Sequence, residues 1–402
     1  MKRTRLDRWI CETESLPELT REGLETLQLR RLNETLSRLK IRGGIYAGYP
    51  EKLDSLSQLE TLPFTTAEML GKTPGAFLLT SQSEVSRVIS GATSGTTGPS
   101  KRVFYTERDT EHTVGFFAAG IGEMLSPGEK CLIAFPFTGP FGLGDLIAKA
   151  VERLGGIPIR AGFGQSWEEL SALVRQTQPE TYIGFPVTLL GLSRMYNAPL
   201  PIRRALVSGD ACPRGVMDAL EQVLGSKLYP HYGSRECGLG GAVTCPAFSG
   251  MHLRENHIIP EIVDENGKVL ADGEYGELVI TTVGLEAMPL IRYRTGDYTR
   301  LLPPCPCGGV TRRIDTVSRR EGEISMETLD SALFALPELV DYRASFGGAL
   351  RIDARTLGAS GKETLLKIAQ SCCPGVSVAV RVSPALPSDH PMYPGKRFVE
   401  MI

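Results

Sequence analysis

The chain has 402 residues, 42% of them hydrophobic and 22% charged, a globular composition that excludes a disordered chain. A net charge of −2 leaves no nucleic-acid footprint, and no run approaches the ~18 apolar residues a membrane span needs. The length suits one large domain followed by a small one.

Residues 1 to 72 read as helices with polar joints, because RLDRWICETESL and REGLETLQLRRLNETLSRLK carry apolar residues every three or four positions. The opening MKRTRLDRWICETE has no apolar stretch behind its basic residues, so no secretory signal is expected. PFTTAEML predicts a helix start capped by Thr65 or Thr66. Next come two β-prone runs, VSRVIS and KRVFY, flanking a glycine-rich loop, and then a helix opening near Asp109. From Lys130 to Ser208, strand-like CLIAFPF, TYIGFPV and RALVSG alternate with helical LGDLIAKAVERLG and SWEELSALVRQ, which predicts an α/β sheet. From Gly250 to Leu302 short strands and turns take over, including a Glu-Asn-Gly turn, and this stretch reads as a β-rich subdomain. A boundary is expected near Arg313–Arg320, giving residues 1–313 and 314–402 as two domains. The second reads as helix, strand, hairpin, helix (KETLLKIAQSC) and strand (VSVAVRV), a small α+β unit.

Four strings carry chemistry. In SGTTGPSK, Ser94, Thr96 and Thr97 offer hydroxyls, Gly95 and Gly98 let the backbone approach an anion, and Lys101 brings a positive charge. The string is not an ordinary P-loop, since Ser100 stands where GxxxxGK[ST] needs glycine. In YGSRE, Tyr232 can present a ring face to a base, Gly233 and Ser234 form the turn, and Glu236 can hold Mg²⁺ against phosphates. RYRTGD places two arginines beside a carboxylate, Asp297. PGK near the end of the chain supplies Lys396.

Nine cysteines, odd in number and scattered, argue against a disulfide framework and for a reducing cytoplasm. Four residues in two short clusters, Cys245 with His252 and Cys305 with Cys307, fit a tetrahedral zinc site. Cys-Pro-Cys is tighter than the usual CxxC, so cysteines sitting in a turn stay open as the alternative, and Cys237 and His257 are spare ligands. A metal held there is structural, because all four positions are filled and none is left for a reactive water.

Taken in this order, the strings resemble the adenylate-forming superfamily of acyl-CoA synthetases, and most of all its phenylacetate–CoA ligase-like branch. The resemblance runs from about residue 60 to Lys396. It implies a large α/β adenylation domain with a β subdomain, plus a small mobile C-terminal α+β domain. It also implies an AMP-forming ligase that joins ATP to an aryl or arylacetic acid and passes the acyl group to coenzyme A. By resemblance, Ser94–Gly98 and Lys101 surround the phosphates, while Ser208, Gly209 and Asp210 of SGDACP run along the adenine beside Tyr232. Asp297 grips the ribose, Arg313 lies in the linker RRIDTVSRREGE, which pivots at Asp315 or Thr316, and Lys396 is the adenylation lysine. Gly322 closes the pantetheine tunnel.

Aromatic loops after strands, carrying Phe137, Phe141 and Phe185, take the positions that line the acid pocket. Arg235 departs from the Ser or Thr that usually precedes the motif glutamate; an arginine there can touch phosphate or the substrate carboxylate, or can point away. The branch carries similar Cys/His clusters. The expected partners are a small carboxylic acid and coenzyme A, without nucleic acid or membrane; a homodimer is allowed. Two alternatives stay open: an acyl-adenylate donor to a carrier protein or amine, and an inactive nucleotide-binding regulatory protein.

Overall fold

The computed structural model describes residues 4–91, 101–139, 141–319, 324–358, 361–393 and 395–402. They form two compact units, one made of Met1–Glu123 with His231–Arg320 and the other of Met124–Pro230 with Glu321–Ile402.

The first unit opens with helices Arg5–Glu14 and Arg21–Arg42. Thr4 and Thr20 cap them by accepting from the N–H groups of Asp7 and Gly23, both at 3.0 Å. Thr66 caps the short helix Ala67–Lys72, so one of the two predicted caps serves. The expected β-prone runs pair as an antiparallel ribbon, Arg87–Gly91 with Lys101–Tyr105. The phosphate-loop residues Ser94, Gly95, Thr96, Thr97 and Gly98 lie outside the described residues.

Helix Glu107–Ile121 follows. A capping box closes its start: Thr106 accepts from the Asp109 N–H at 3.1 Å and the Asp109 carboxylate accepts from the Thr106 N–H at 2.9 Å. The β-rich stretch is an antiparallel sheet in the order Ile258–Val263, Gly276–Thr282, Tyr293–Thr299, Ser318–Arg319. A second antiparallel run joins His231 and Tyr232 to Ala242–Thr244, Met251–Leu253, Arg313–Ile314 and Leu301–Leu302. Leu32, Leu36, Phe77, Leu253, Leu278 and Tyr293 lie in the core that closes this unit.

In the second unit the predicted βα alternation is a parallel sheet. Its strands run in the order Ile157–Arg160, Lys130–Ala134, Thr181–Gly184, Arg204–Val207, and the last pairs with Tyr229 and Pro230. Helices Leu143–Arg153, Trp167–Thr177, Pro186–Met195 and Arg214–Leu224 follow these strands. Each end has a local cause: a Ser166–Glu169 capping box, Pro186 at the first turn, and Gly225 at φ 64 as a left-handed stop.

Residues from 324 onward add helix Met326–Leu333, hairpin Leu339–Phe346/Leu350–Thr356, helix Lys362–Cys372 and strand Val378–Pro384. They share one apolar core with the parallel sheet, in which Leu189, Leu190 and Val216 join Leu329, Leu333 and Tyr342. Burial on that scale, at ~25 cal/mol per Å² of apolar surface, makes this packing the main force holding the unit together.

Candidate functional site

Lys101 opens the strand that follows the phosphate-loop segment, and its side chain turns into the protein. Its ammonium donates to Glu236 Oε1 at 2.6 Å and to the Tyr293 hydroxyl at 2.9 Å, and Tyr293 donates to the same Glu236 oxygen at 3.1 Å. Burial alone pushes the Glu236 carboxyl up, but the Lys101 charge and these hydrogen bonds outweigh it and hold the group below its ordinary range.

The YGSRE turn that presents Glu236 is itself braced. Tyr105 donates to the Arg235 carbonyl, Ser234 Oγ accepts from the Cys237 N–H at 3.3 Å, and Leu239 N–H donates to Ser234 O at 2.8 Å. Gly233 is required here, because a Cβ would sit 2.1 Å from the Leu239 carbonyl oxygen. The half-buried Arg235 contributes its carbonyl to this brace.

One strand over, Tyr232 donates to Asp297 Oδ2 at 2.8 Å, and Arg319 Nε donates to Asp297 Oδ1 at 2.9 Å. Both acceptors that would face a diol are therefore engaged by side chains of the same unit. The other arginines of RYRTGD are committed elsewhere. Arg294 donates to Glu277 at 2.9 Å. Arg292, in a left-handed backbone at φ 47, forks onto Glu261 at 2.8 and 3.1 Å and onto the carbonyls of Glu60 and Leu62. Arg313 pairs in register with His252, and its guanidinium donates to the carbonyls of Ser249 and Pro303.

Cys245, His252, Cys305 and Cys307 converge, with ligand atoms all within 4.8 Å of one another. The Cys245 and Cys305 sulfurs are 3.7 Å apart, and Cys307 Sγ is 3.3 Å from His252 Nε2. A tetrahedral site with metal–sulfur bonds of ~2.3 Å has edges of about 3.8 Å, so this donor set fits zinc. His252 Nδ1 faces Thr311 Oγ1 at 2.9 Å and Thr311 O at 3.2 Å, the kind of outer contact that fixes a ligating ring. Gly309 must be glycine, since a Cβ would come 2.9 Å from His252 Cε1 and 3.2 Å from Cys307 Sγ. The spare ligands lie elsewhere: Cys237 is bonded to Ser234, and His257 stacks on Trp9.

In the second unit, Ser208–Asp210 leaves the strand Arg204–Val207 through Gly209 at φ 84. A Cβ on Gly209 would lie 2.6 Å from Phe185 and 2.9 Å from Phe135, two rings that pack edge to face at 4.9 Å. The Asp210 carboxylate accepts from its neighbour Ala211 N–H at 2.9 Å and from the Arg397 N–H at 2.8 Å. Asp210 keeps a partly accessible surface, yet burial pushes its carboxyl up to about 6, against the opposing pull of Lys396 and the Arg397 N–H. Gly395 passes Phe163 and Phe185 at 3.7–3.8 Å from the position of a Cβ. Phe137 and Phe141 instead carry cations over their faces: Arg160, itself paired with Asp145 at 3.0 Å, and Lys149.

The AMP-binding enzyme family matches residues 92–287. The phenylacetate–coenzyme A ligase of Escherichia coli (strain K12) is 33% identical over 335 residues, which cover 78% of this chain and 74% of that protein. The chain belongs to the phenylacetate–coenzyme A ligase-like branch of the adenylate-forming superfamily. A second phenylacetate–coenzyme A ligase of this branch, from Thermus thermophilus, is 29% identical over 82% of this chain and 79% of its own. In fold, the branch member described here matches a crystal structure of 2-hydroxyisobutyryl-CoA ligase with R3-HIB-AMP in the postadenylation state. That match has a TM-score of 0.77 at 18% identity and covers 94% of this chain and 89% of the other.

Against the family's motif order, the structure brings Lys101 to Glu236 and Tyr232 to Asp297, and gathers all four cysteine and histidine ligands. It sets Phe185 and Phe135 against Gly209, while Arg160 and Lys149 lie over Phe137 and Phe141. Sequence reasoning missed Tyr293, Arg319, Phe135, Thr311 and Arg397. Tyr293 stood inside a motif already singled out, and Arg397 stood next to Lys396. Arg319 lay in the linker string and Phe135 in CLIAFPF, both already quoted, and only Thr311 carried no local signal.

Proposed function

We propose that the chain is an AMP-forming acid–coenzyme A ligase acting on an aryl or arylacetic acid. The acid's carboxylate oxygen attacks the α-phosphorus of ATP as the bond to pyrophosphate breaks. The thiol of coenzyme A then attacks the acyl carbon, and AMP leaves. No covalent enzyme nucleophile is needed, so the protein's work is positioning and charge stabilisation.

The observation that carries this reading is the Lys101–Glu236–Tyr293 cluster, a phosphate-loop lysine held against the motif glutamate in a member of this family. On this reading Lys101 meets phosphate charge and Glu236 would hold Mg²⁺, which when bound neutralises the polyphosphate. Binding then requires Lys101 to leave Glu236. Asp297 takes the ribose diol in place of Tyr232 and Arg319, and the Phe135–Phe185 pair supports an aromatic acid. Phenylacetate, the acid named for the curated relatives, is the first to test.

Lys396 stabilises charge between carboxylate and α-phosphate. Residues 1–313 form the adenylation domain, and 314–402 a small domain carrying that lysine and turning at Asp315 or Thr316. Cys245, His252, Cys305 and Cys307 would hold a structural Zn²⁺. No described helix is long and apolar enough to cross a membrane. Nine scattered cysteines, an odd number, support a reducing, cytoplasmic setting.

Incubation with ATP, Mg²⁺, coenzyme A and an acid panel tests the reaction by mass spectrometry. Acyl-CoA and AMP in equal amounts are expected. Acyl-AMP that accumulates without thioester would redirect the reading to another acceptor.

A further inference from the structure

Arg397, next to the proposed adenylation lysine, is one of the most heavily bonded side chains in the second unit. It is buried; its Nε donates to both oxygens of Asp330 at 3.1 Å, Nη1 to Asp341 at 2.9 Å, and Nη2 to the Tyr342 carbonyl at 3.1 Å. The rings of Phe334, Tyr342 and Tyr393 pack around the guanidinium, with centroids 4.5–5.1 Å from its carbon. Both carboxylates are fixed in turn. Tyr342 donates to Asp330 at 2.6 Å, and Asp341 accepts from the N–H groups of Tyr342 and Met392 at 2.8 and 2.6 Å. Tyr393 donates to the Phe398 carbonyl at 2.8 Å. The segment bearing Lys396 is thus tied at Met392, Tyr393 and Arg397.

The Arg397 N–H adds a tie to Asp210. One residue spans only ~3.8 Å between Cα atoms, so fixing the Arg397 backbone fixes where Lys396 begins. The same segment crosses Phe185 and Phe163 at Gly395. A tail that only had to be tucked away could use apolar side chains. A buried network of one arginine with two carboxylates pays a desolvation cost that packing alone does not require, and such networks are best explained by the geometry they enforce.

We propose that Arg397 and Asp210 are positioning residues that together latch the chain-end segment and set Lys396 beside the Ser208–Asp210 loop for adenylation. The inference rests on the reading of Lys396 given above. It differs from the role expected for Asp210 along the adenine, because both Asp210 oxygens are spent on main-chain N–H groups. A turn of the small domain before thioester formation would have to break this latch along with the apolar core that residues from 324 onward share with the parallel sheet.

The test measures both half-reactions, acid-dependent ATP–pyrophosphate exchange and thioester formation from supplied acyl-adenylate, in Lys396→Ala, Asp210→Ala, Asp210→Asn and Arg397→Lys. Misplacing a group by about 1 Å costs on the order of 100-fold, so Asp210→Ala and Arg397→Lys should lose roughly that much exchange kcat with little change in KM for ATP. Thioester formation should fall far less. Asp210→Asn keeps one acceptor for the Arg397 N–H and should recover much of the exchange lost in Asp210→Ala. Normal exchange in Asp210→Ala, or an equal fall in both half-reactions, overturns the latch. A raised KM for ATP at normal kcat overturns it in favour of an adenine contact. Unchanged exchange in Lys396→Ala would instead overturn the reading of the lysine itself, which the other variants cannot imitate.

Discussion

Glu236 and Asp210 are two carboxylates drawn into the protein at family motifs, and their surroundings push them in opposite directions. Around Glu236, a lysine ammonium and a tyrosine hydroxyl converge on one oxygen and overcome the cost of burial. Around Asp210, only a half-buried Lys396 and main-chain N–H groups offset burial, Asp330 adds a like charge, and the carboxyl rises to about 6. The first arrangement is a charge already satisfied, which on the proposed reading a nucleotide and its cation would have to displace. The second is a charge held by main-chain N–H groups and Lys396, with no side-chain cation hydrogen-bonded to it among the contacts above, so burial outweighs its partners. A protein that must first bind and then release a highly charged ligand gains from having both, since neither locks the ligand in place.

The largest expected effect bears on the under-satisfied side. Lys396→Ala should lower pyrophosphate exchange by roughly 100- to 1,000-fold, the usual size of removing a group that stabilises only the transition state, while thioester formation from supplied acyl-adenylate persists. Equal loss in both half-reactions would take Lys396 out of the role that sets the two regions apart.

On the satisfied side, Glu236→Gln should weaken Mg²⁺–ATP use about 10- to 100-fold, visible as a steeper Mg²⁺ requirement in exchange assays. An unchanged rate would remove Glu236 from the site.

A subtler contrast lies in stability against pH. Asp210 in the folded protein binds its proton more tightly than its ordinary value of 3.8 allows. The stability this provides is full below about 3.8 and is lost as pH rises through about 6. Glu236 has a depressed value, so its contribution is full above its ordinary 4.5 and is lost as pH falls through the depressed value. The groups acting on Asp210 are Lys396, Arg397, Ala211 and Asp330; those acting on Glu236 are its own backbone, Lys101 and Tyr293. Denaturant melts of wild type against Asp210→Asn should therefore show the wild type losing ground by at most about 3 kcal/mol between pH 4 and 7, whereas against Glu236→Gln the wild type should lose ground as pH falls below about 4.5. Slopes of the same sign would erase the comparison.

The smallest effect on either carboxylate should come from the cysteine cluster. Chelation or Cys305→Ser should release one zinc per chain and lower stability by several kcal/mol, leaving the opposite pH slopes of the two carboxylates in place. Metal analysis and melts check both parts.

What could be read beforehand divides along similar lines. Contiguous motifs announced Lys101, Glu236, Tyr232 and Asp297, because each string carries its residue types side by side, and the strand–helix alternation announced the parallel sheet. The partners that tune these groups were hidden by distance along the chain. Arg319 reaches Asp297 because Ser318–Arg319 pairs with the strand Tyr293–Thr299. Arg397 stood beside a lysine already chosen, but its partners Asp330 and Asp341 lie on a helix and a strand 67 and 56 residues away. The residues of the Cys/His cluster were legible as types although the Cys-Pro-Cys spacing was unusual. They meet because the strand Met251–Leu253 pairs with Arg313–Ile314. The aromatic loops were read as one pocket, but the cations Arg160 and Lys149 claim the faces of Phe137 and Phe141, and Phe135 joins Phe185.

The most direct test of the central claim is ATP–pyrophosphate exchange across aryl, arylacetic and short aliphatic acids, without coenzyme A. Exchange confined to the aromatic acids and lowered roughly 100- to 1,000-fold in Lys396→Ala is the predicted result. No exchange with any acid, by a protein that still binds ATP, would contradict it.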